Sequence, residues 1–503
     1  MGDLRFKVPN AANIDPRVWD TAYISGMEGI PWYCHRRLEG GQFSIGRDIE
    51  ESGKLNIVWP TRSLGNICLS TTSLRIVDKP YSLMAELARG TVFRMKNQCA
   101  EWQRIGLKLP AEFFPLSEQA LNQLLHALTI RNNPLQQEKH AQSAIDSSTE
   151  ASVLLCDAFS SQVLDIRLQN EGRFSTLLGC RVQPQIAIDS VSDALKAAFN
   201  LISVDADLNA IESASGQRNF AIADRQVEWA HQNGQRICVG PLLNFKPGGL
   251  PRWMVLLNES FDTVMKVACE HAQETVERYR GKVHLWNCAV GLNAPGEMRW
   301  SDEEVLRMSV SLIETVRRAD DRTPVLLTID QPFSEYLGGE RDGISPLHFA
   351  DALIRADLGL SGLALQMNLD TWPDGSLPRD PIDISRLIDR WGLLGLPLMI
   401  VVTNPSQLTG DMHAEHGLGV SSWMTGIQAP DGDLKYGDLN NEGLKSEGLI
   451  RMLLAKPTVH AIIWNQTSDQ LPHGFANAGL WDSNGKAKSI LNSAAKLRQA
   501  YLH

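Results

Sequence analysis

Carboxylates stand just past the ends of apolar runs from about residue 199 onward. Asp330 follows Val325–Ile329, Asp370 follows Gly362–Gln366, Asp205 and Asp207 follow Phe199–Val204, and Asp469 follows Val459–Trp464. Glu297 lies in the loop after Val283–Val290. Two carboxyl groups facing each other can do acid/base and nucleophilic work, and a cluster of them can hold a divalent cation. The commoner role of a loop Asp is to cap a helix or make a turn, and Asp374-Gly375 and Asp431-Gly432 read that way. His413-Ala414-Glu415-His416 has His-x-Glu-His spacing, not the His-Glu-x-x-His of a zinc helix, and reads as a solvated loop. No metal or other cofactor is expected. Trp372, Trp423, Trp464 and Trp481 offer aromatic faces that either line a cleft or pack a barrel top.

These groups need elements to hold them. From about Phe174 onward, strands alternate with amphipathic helices. The candidate strands are Leu177–Val182, Phe199–Val204, Ile237–Leu243, Val283–Val290, Val325–Ile329, Gly362–Gln366, Leu396–Val402 and Val459–Trp464. Ser301 with Glu304 three residues on forms a capping box that opens one of the helices. Eight such strands predict an α/β fold, a (β/α)8 TIM barrel, with catalytic groups at the C-terminal strand ends. Periodicity alone also allows a doubly wound sheet.

The first part of the chain differs. Gln42-Phe43-Ser44-Ile45 and Lys54 to Trp59 alternate as strands do. Trp19, Trp32, Tyr33 and Trp59 there could stack on sugar rings, but read first as filling a small β core. Met84, Leu87, Ala88, Thr91, Met95, Gln98, Cys99 and Trp102 share one face of a helix, which Gly90 weakens without removing. A second helix starts near Ser117, and Pro134 breaks or restarts it. The expected organisation is a β-rich accessory domain with one helix over 1–110, a helical connector over 111–170 and the barrel over 171–503.

Composition excludes several classes. The net charge of −10 comes with no basic stripe interleaved with aromatics, which argues against nucleic acid as a partner. No run of about 18 apolar residues exists, so no membrane span is expected. Eight cysteines are scattered singly, without CxxC pairs, and read as buried thiols. The start lacks an apolar leader, so the cytoplasm is the expected compartment. The oligomeric state is left open.

Taken in order, the motifs resemble glycoside hydrolase family 10, the retaining xylanase family, over roughly residues 174–500. Phe199-Asn200 resembles the family's Phe-Asn at the second strand. Ile211-Glu212, Gly216, Phe220, Ala223-Asp224 and Trp229-Ala230 follow its run into the next helix. Gly240 with Leu250-Pro251-x-Trp253 is similar to the third-strand segment, and Trp286 opens the counterpart of Trp-Asp-Val-Val-Asn-Glu. Gly362-x-x-x-Gln366, Gly395-Leu396-Pro397, Trp464 with Asp469, and Leu480-x-Asp482-x-x-Gly485 complete the series. The resemblance implies a carbohydrate or oligosaccharide partner. It points to Asn200, Gln366, Trp464 and Asp469 as contacts; Asn368 and Asn465, which replace the family's residues, and Trp372, which could line a cleft, are further candidates.

The departures fall on the chemistry. Retaining hydrolysis needs a nucleophile and an acid/base about 5–5.5 Å apart. The family's acid/base position falls on Gly291 and its nucleophile position on Val402, so neither catalytic Glu is retained. The strand-three His corresponds to Pro241, and the His of Gln-Ser-His falls on Asn368. The expected function is therefore a xylanase-like barrel without classical retaining hydrolysis, acting as a carbohydrate-binding or scaffolding protein. Two alternatives stand beside it. One is an active O-glycosyl hydrolase on intracellular oligosaccharides with relocated carboxylates, for which Asp330 and Glu297 are the candidates. The other is an interaction protein that uses the barrel without a sugar.

Overall fold

A computed structural model describes residues 2–9, 14–130, 132–258, 260–294, 296–340, 343–407, 410–417, 419–420, 427–428, 435–436 and 446–503. Trp423, Asp431 and Gly432 lie outside the described residues.

Eight parallel strands close into a barrel: Leu177–Val182, Leu201–Val204, Arg236–Val239, Leu285–Val290, Val325–Asp330, Gly362–Asn368, Leu398–Thr403 and Val459–Trp464. Each pairs with the next, and the eighth pairs back onto the first through Trp464 opposite Cys180. A doubly wound sheet is thereby excluded. A two-residue strand, Leu243–Asn244, adds to the fourth strand after a turn. The third strand therefore ends at Val239, short of the expected Leu243, because Gly240-Pro241 interrupts the ladder.

Successive side chains of a strand point to opposite faces. One set, including Leu178, Cys180, Ile202, Ile237, Trp286, Leu327, Leu365, Ile400 and Ile462, joins the core shared with the helices. The other set, Leu201, Cys238, Leu326, Ala364, Met399, Val401, Ala461 and Ile463, forms a separate plug inside the barrel. Helix Asp302–Ala319 opens with the complete capping box of Ser301 and Glu304. At its end, Asp320 accepts the Trp286 indole N–H at 3.0 Å and so ties this helix to the fourth strand.

The N-terminal region builds two four-stranded sheets, one centred on Gly2–Lys7 and Gln42–Arg47, the other on Tyr23–Ser25 and Lys54–Thr61 with Gly65–Ser70 at its edge. Helices Leu83–Arg104, Phe113–Thr129 and Pro134–Glu171 follow. Gly90 is explained by contact: a methyl there would collide with the Ser70 carbonyl, so glycine lets the first helix lie directly on the sheet. Pro134 restarts the third helix from its first turn, and Asn133 caps it by accepting the Gln136 N–H at 3.1 Å.

One buried cluster runs from Phe6 and Phe43 through Trp102 and Phe159 into the barrel's helix-facing residues. An ionic joint reinforces it. Arg94, only 9% exposed, pairs with Asp380 and, at 2.9 Å, with Asp383 at the start of helix Pro381–Gly392. Removing one member of a buried pair leaves an uncompensated charge. Arg94→Met is expected to cost about 3–5 kcal/mol, seen as a lower urea midpoint; an unchanged midpoint would show that the joint contributes nothing.

Candidate functional site

The C-terminal strand ends open onto a cavity of about 270 Å³. Its floor and walls carry Arg181, Ser203, Asp205, Lys246, Asn287, Thr328, Gln366 and Asn465, with His416, His473 and Phe475 from later loops. Parity explains the set. Arg181, Ser203, Asn287, Thr328 and Asn465 are each an even number of positions from a plug or plug-packed residue on their own strand: Leu177, Leu201, Leu285, Leu326 and Ile463.

A chain of hydrogen bonds runs around this rim. The Arg181 Nε donates to Asp205 at 2.5 Å, and its Nη1 to the Asn465 side-chain oxygen at 3.4 Å. Asn465 Nδ2 donates to the Thr403 hydroxyl at 3.0 Å, and that hydroxyl donates to Asn368 Oδ1 at 2.6 Å. Across the barrel, Thr328 donates to Asn287 at 2.9 Å.

Asp330 ends the fifth strand and is 3% exposed. Asn293 clasps its backbone on both sides, donating to its carbonyl and accepting from its N–H, each at 2.9 Å. Its Oδ1 has no hydrogen bond and lies 3.7 Å from the Lys246 ammonium. Burial holds this carboxyl above its ordinary value, against the opposing pull of Lys246. Asp374 behaves oppositely, because a 3.0 Å contact with His416 lowers it. Lys246, Asp330, Asp374 and His416 also line a second cavity of about 1260 Å³. That cavity continues past Trp300, Tyr336 and Trp372 to Asp20, Thr21 and Arg36 of the N-terminal region.

The expected site residues scatter. Gln366 and Asn465 line the mouth, and Trp372 lines the adjoining cavity. Asn368 is buried beneath the rim as a hydrogen-bond partner of Thr403. Asn200 sits at the opposite end of the barrel. It accepts the Leu178 N–H and donates to the His503 carbonyl, because it precedes its strand rather than following it. Trp464 faces the helices, and its indole donates to the Ala478 carbonyl at 2.8 Å. Asp469 is committed to Lys488, at 2.5 Å, and to Gln466 and Gly479. It lies near Asp411 and His473, and the Lys488 ammonium stands against its Oδ2. Glu297 is exposed on a 3-10 turn and lines neither cavity.

Gly291 and Val402 do not face each other across the mouth. Val402 is fully buried among the helix-facing residues. The inward side chains of its strand are Met399, Val401 and Thr403, so the motif-based assignment is one residue out of register there. Gly291 has φ +82°, and a Cβ on it would lie 2.8 Å from both the Lys246 backbone nitrogen and Lys246 Cγ. Lys246 thus occupies the space that a side chain at 291 would need.

Sequence reasoning missed Arg181 and Lys246. Arg181 carried a signal, since a lone Arg interrupts the apolar run Leu177–Val182 at an inward position. Lys246 carried none, because its place against Gly291 arises only when the loop after the third strand folds over the fourth.

The model of Glycosyl hydrolase family 10 matches residues 166–301, which spans the first four barrel strands. Endo-1,4-beta-xylanase 3 of Hypocrea jecorina is 34% identical over 92 residues, 18% of this chain and 26% of that protein. Endo-1,4-beta-xylanase B of Humicola insolens is 30% identical over 79 residues, 16% of this chain and 22% of that protein. The barrel is family-10-like. The chain spans about a quarter of the length of the curated relatives it matches. Among solved structures, native xylanase 10B from Thermotoga maritima aligns with TM-score 0.47 and 14% identity, covering 68% of this chain and 97% of that one. Xylanase 10B from Thermotoga petrophila RKU-1, solved in complex with xylobiose, aligns with the same TM-score, identity and coverage. In the family-10-like barrel, the matched segment includes Gly291 but stops before the seventh strand.

Two outcomes follow. Gly291→Glu is expected to restore no hydrolysis and to cost about 2 kcal/mol, since it strains a left-handed backbone and meets Lys246. Xylosidase activity appearing in that variant would show that the space is open. Asp207 caps the short helix Leu208–Ile211, and burial together with Asp205 raises its carboxyl from 3.8 to about 6. The folded state therefore holds this proton more tightly than the unfolded chain. Its contribution is fully present below pH 3.8 and is lost as pH rises through about 6. Asp207→Asn keeps the cap and removes the buried charge. The variant is expected to melt about 2–4 °C above wild type at pH 7 and to converge with it near pH 4; a difference that does not change with pH would contradict the assignment.

Proposed function

We propose that this family-10-like barrel binds a carbohydrate in its mouth and does not carry out retaining glycoside hydrolysis. The observation that supports this reading is the chemistry of the rim. Its inward groups are mostly amides and hydroxyls, Ser203, Asn287, Thr328, Gln366 and Asn465, which suit a polyhydroxylated ligand. Of its two strand-end carboxylates, Asp205 is bound by Arg181, and Asp330 is buried with the Lys246 ammonium 3.7 Å away. A retaining enzyme needs one carboxylate free to attack and a second group to shuttle the proton. Gly291 has no side chain, and Thr403, the inward residue at the end of the seventh strand, is a hydroxyl that donates to Asn368. The match to the family over the first four strands supports a sugar as the ligand class.

The test is paired. Aryl-xyloside and xylan are expected to give no turnover above the blank, while xylo-oligosaccharides bind by calorimetry. Gln366→Ala, which removes one inward hydrogen-bonding group, should weaken that binding about tenfold, or about 1.4 kcal/mol. Turnover that Asp330→Asn abolishes would overturn the reading in favour of a hydrolase with relocated carboxylates. Absence of binding across neutral and acidic glycans would overturn it in favour of a barrel used without a sugar.

A further inference from the structure

The charge at the mouth is arranged with its cations outward. In the Arg181–Asp205 pair, the Arg side chain is 26% exposed and the Asp 6%. In the Lys246–Asp330 pair the figures are 15% and 4%. Each carboxylate sits behind its partner, and both cations line the same cavity. Arg181 directs Nε to Asp205 and Nη1 to Asn465, and no hydrogen bond engages Nη2 among the described residues. Lys246 stands 3.7 Å from Asp330, beyond ordinary hydrogen-bond length, with its ammonium 5.5 Å from the Phe475 ring centre. Its donors are therefore incompletely used. His416 and His473 lie on the same wall. Asp205 and the exposed Glu415 are the acids that line the cavity with them.

A neutral sugar gives no reason to place two ammonium-type donors at the surface of a hydroxyl-lined cup. An anionic substituent does, because charge-assisted hydrogen bonds are about twice as strong as neutral ones. The buried carboxylates then serve to hold the cations in place. Resting on the carbohydrate reading above, we infer that the mouth selects an acidic sugar, one carrying a carboxylate or a sulfate ester, with Arg181 and Lys246 as its recognition pair.

Calorimetry with three probes tests this: xylotriose, trigalacturonic acid and a sulfated neutral trisaccharide. At 50 mM NaCl at least one anionic probe should bind about tenfold or more tighter than xylotriose, and the tighter of the two identifies the anion. The preference should shrink toward unity at 500 mM NaCl, since exposed charges are screened. Two double variants, Arg181→Gln with Asp205→Asn and Lys246→Gln with Asp330→Asn, neutralise each pair together and leave no orphaned buried carboxylate. Each should reduce the preference at least threefold, while Lys246→Arg should retain it. Equal affinity for neutral and anionic probes would overturn this inference and leave the carbohydrate reading standing. A preference that survives both double variants would overturn the assignment to these cations. No binding of any probe would overturn both readings.

Discussion

Closure of eight parallel strands imposes one constraint on everything at the mouth. Alternate residues of each strand must point inward, so the parity of a residue decides whether it can do chemistry. A shift of one position exchanges a cup-lining group for a packing group. Thr403 and Val402 illustrate this. Thr403 joins the hydrogen-bonded rim, and Val402, its neighbour, is lost to the helix interface. The inner plug of Leu201, Cys238, Ala364, Met399 and Ala461 fills the barrel below, so the mouth is a shallow cup on a solid floor.

Within that cup, burial and charge act together. Asp330 and Asp205 are too deeply set to remain charged without partners, and a cation covers each. That arrangement stabilises the fold and alters the chemistry in one step. A carboxylate held by an ammonium or guanidinium is a poorer nucleophile, and its partner is the more exposed group of each pair. Lys246 has a double part, since it also fills the space beside Gly291. One side chain thus both fills the space at position 291 and covers Asp330.

The barrel was legible in the sequence because its signal is repeated. Eight apolar runs separated by amphipathic helices leave few alternatives, and the ends shifted by only a few residues. The capping box at Ser301 was equally plain, since its two partners are three residues apart. Site residues were less legible because their roles depend on direction. Asn200 was placed by a motif, yet it lies before its strand and serves the barrel floor. Trp464 matched a motif as well, but it has the outward parity. Lys246 was invisible, for its meaning comes from a loop crossing a neighbouring strand.

The first 170 residues take part in the site through the loops they brace. Arg379 follows the loop that carries Trp372 and Asp374. Its guanidinium donates to Glu335 at 2.6 Å and to the Tyr23 hydroxyl of the N-terminal sheet at 2.8 Å. Glu335, in turn, lies five residues beyond Asp330 and accepts the Leu377 N–H at 3.0 Å. The Cys68 N–H reaches the Pro378 carbonyl at 2.8 Å. The loops after the fifth and sixth strands are therefore fastened to each other and to the sheet at one buried point. Loops that wall a binding cup are ordinarily the softest part of such a fold. Here a buried ion pair and a Tyr hydroxyl hold them, so the N-terminal unit acts as a brace for the wall that faces Lys246 and Asp330.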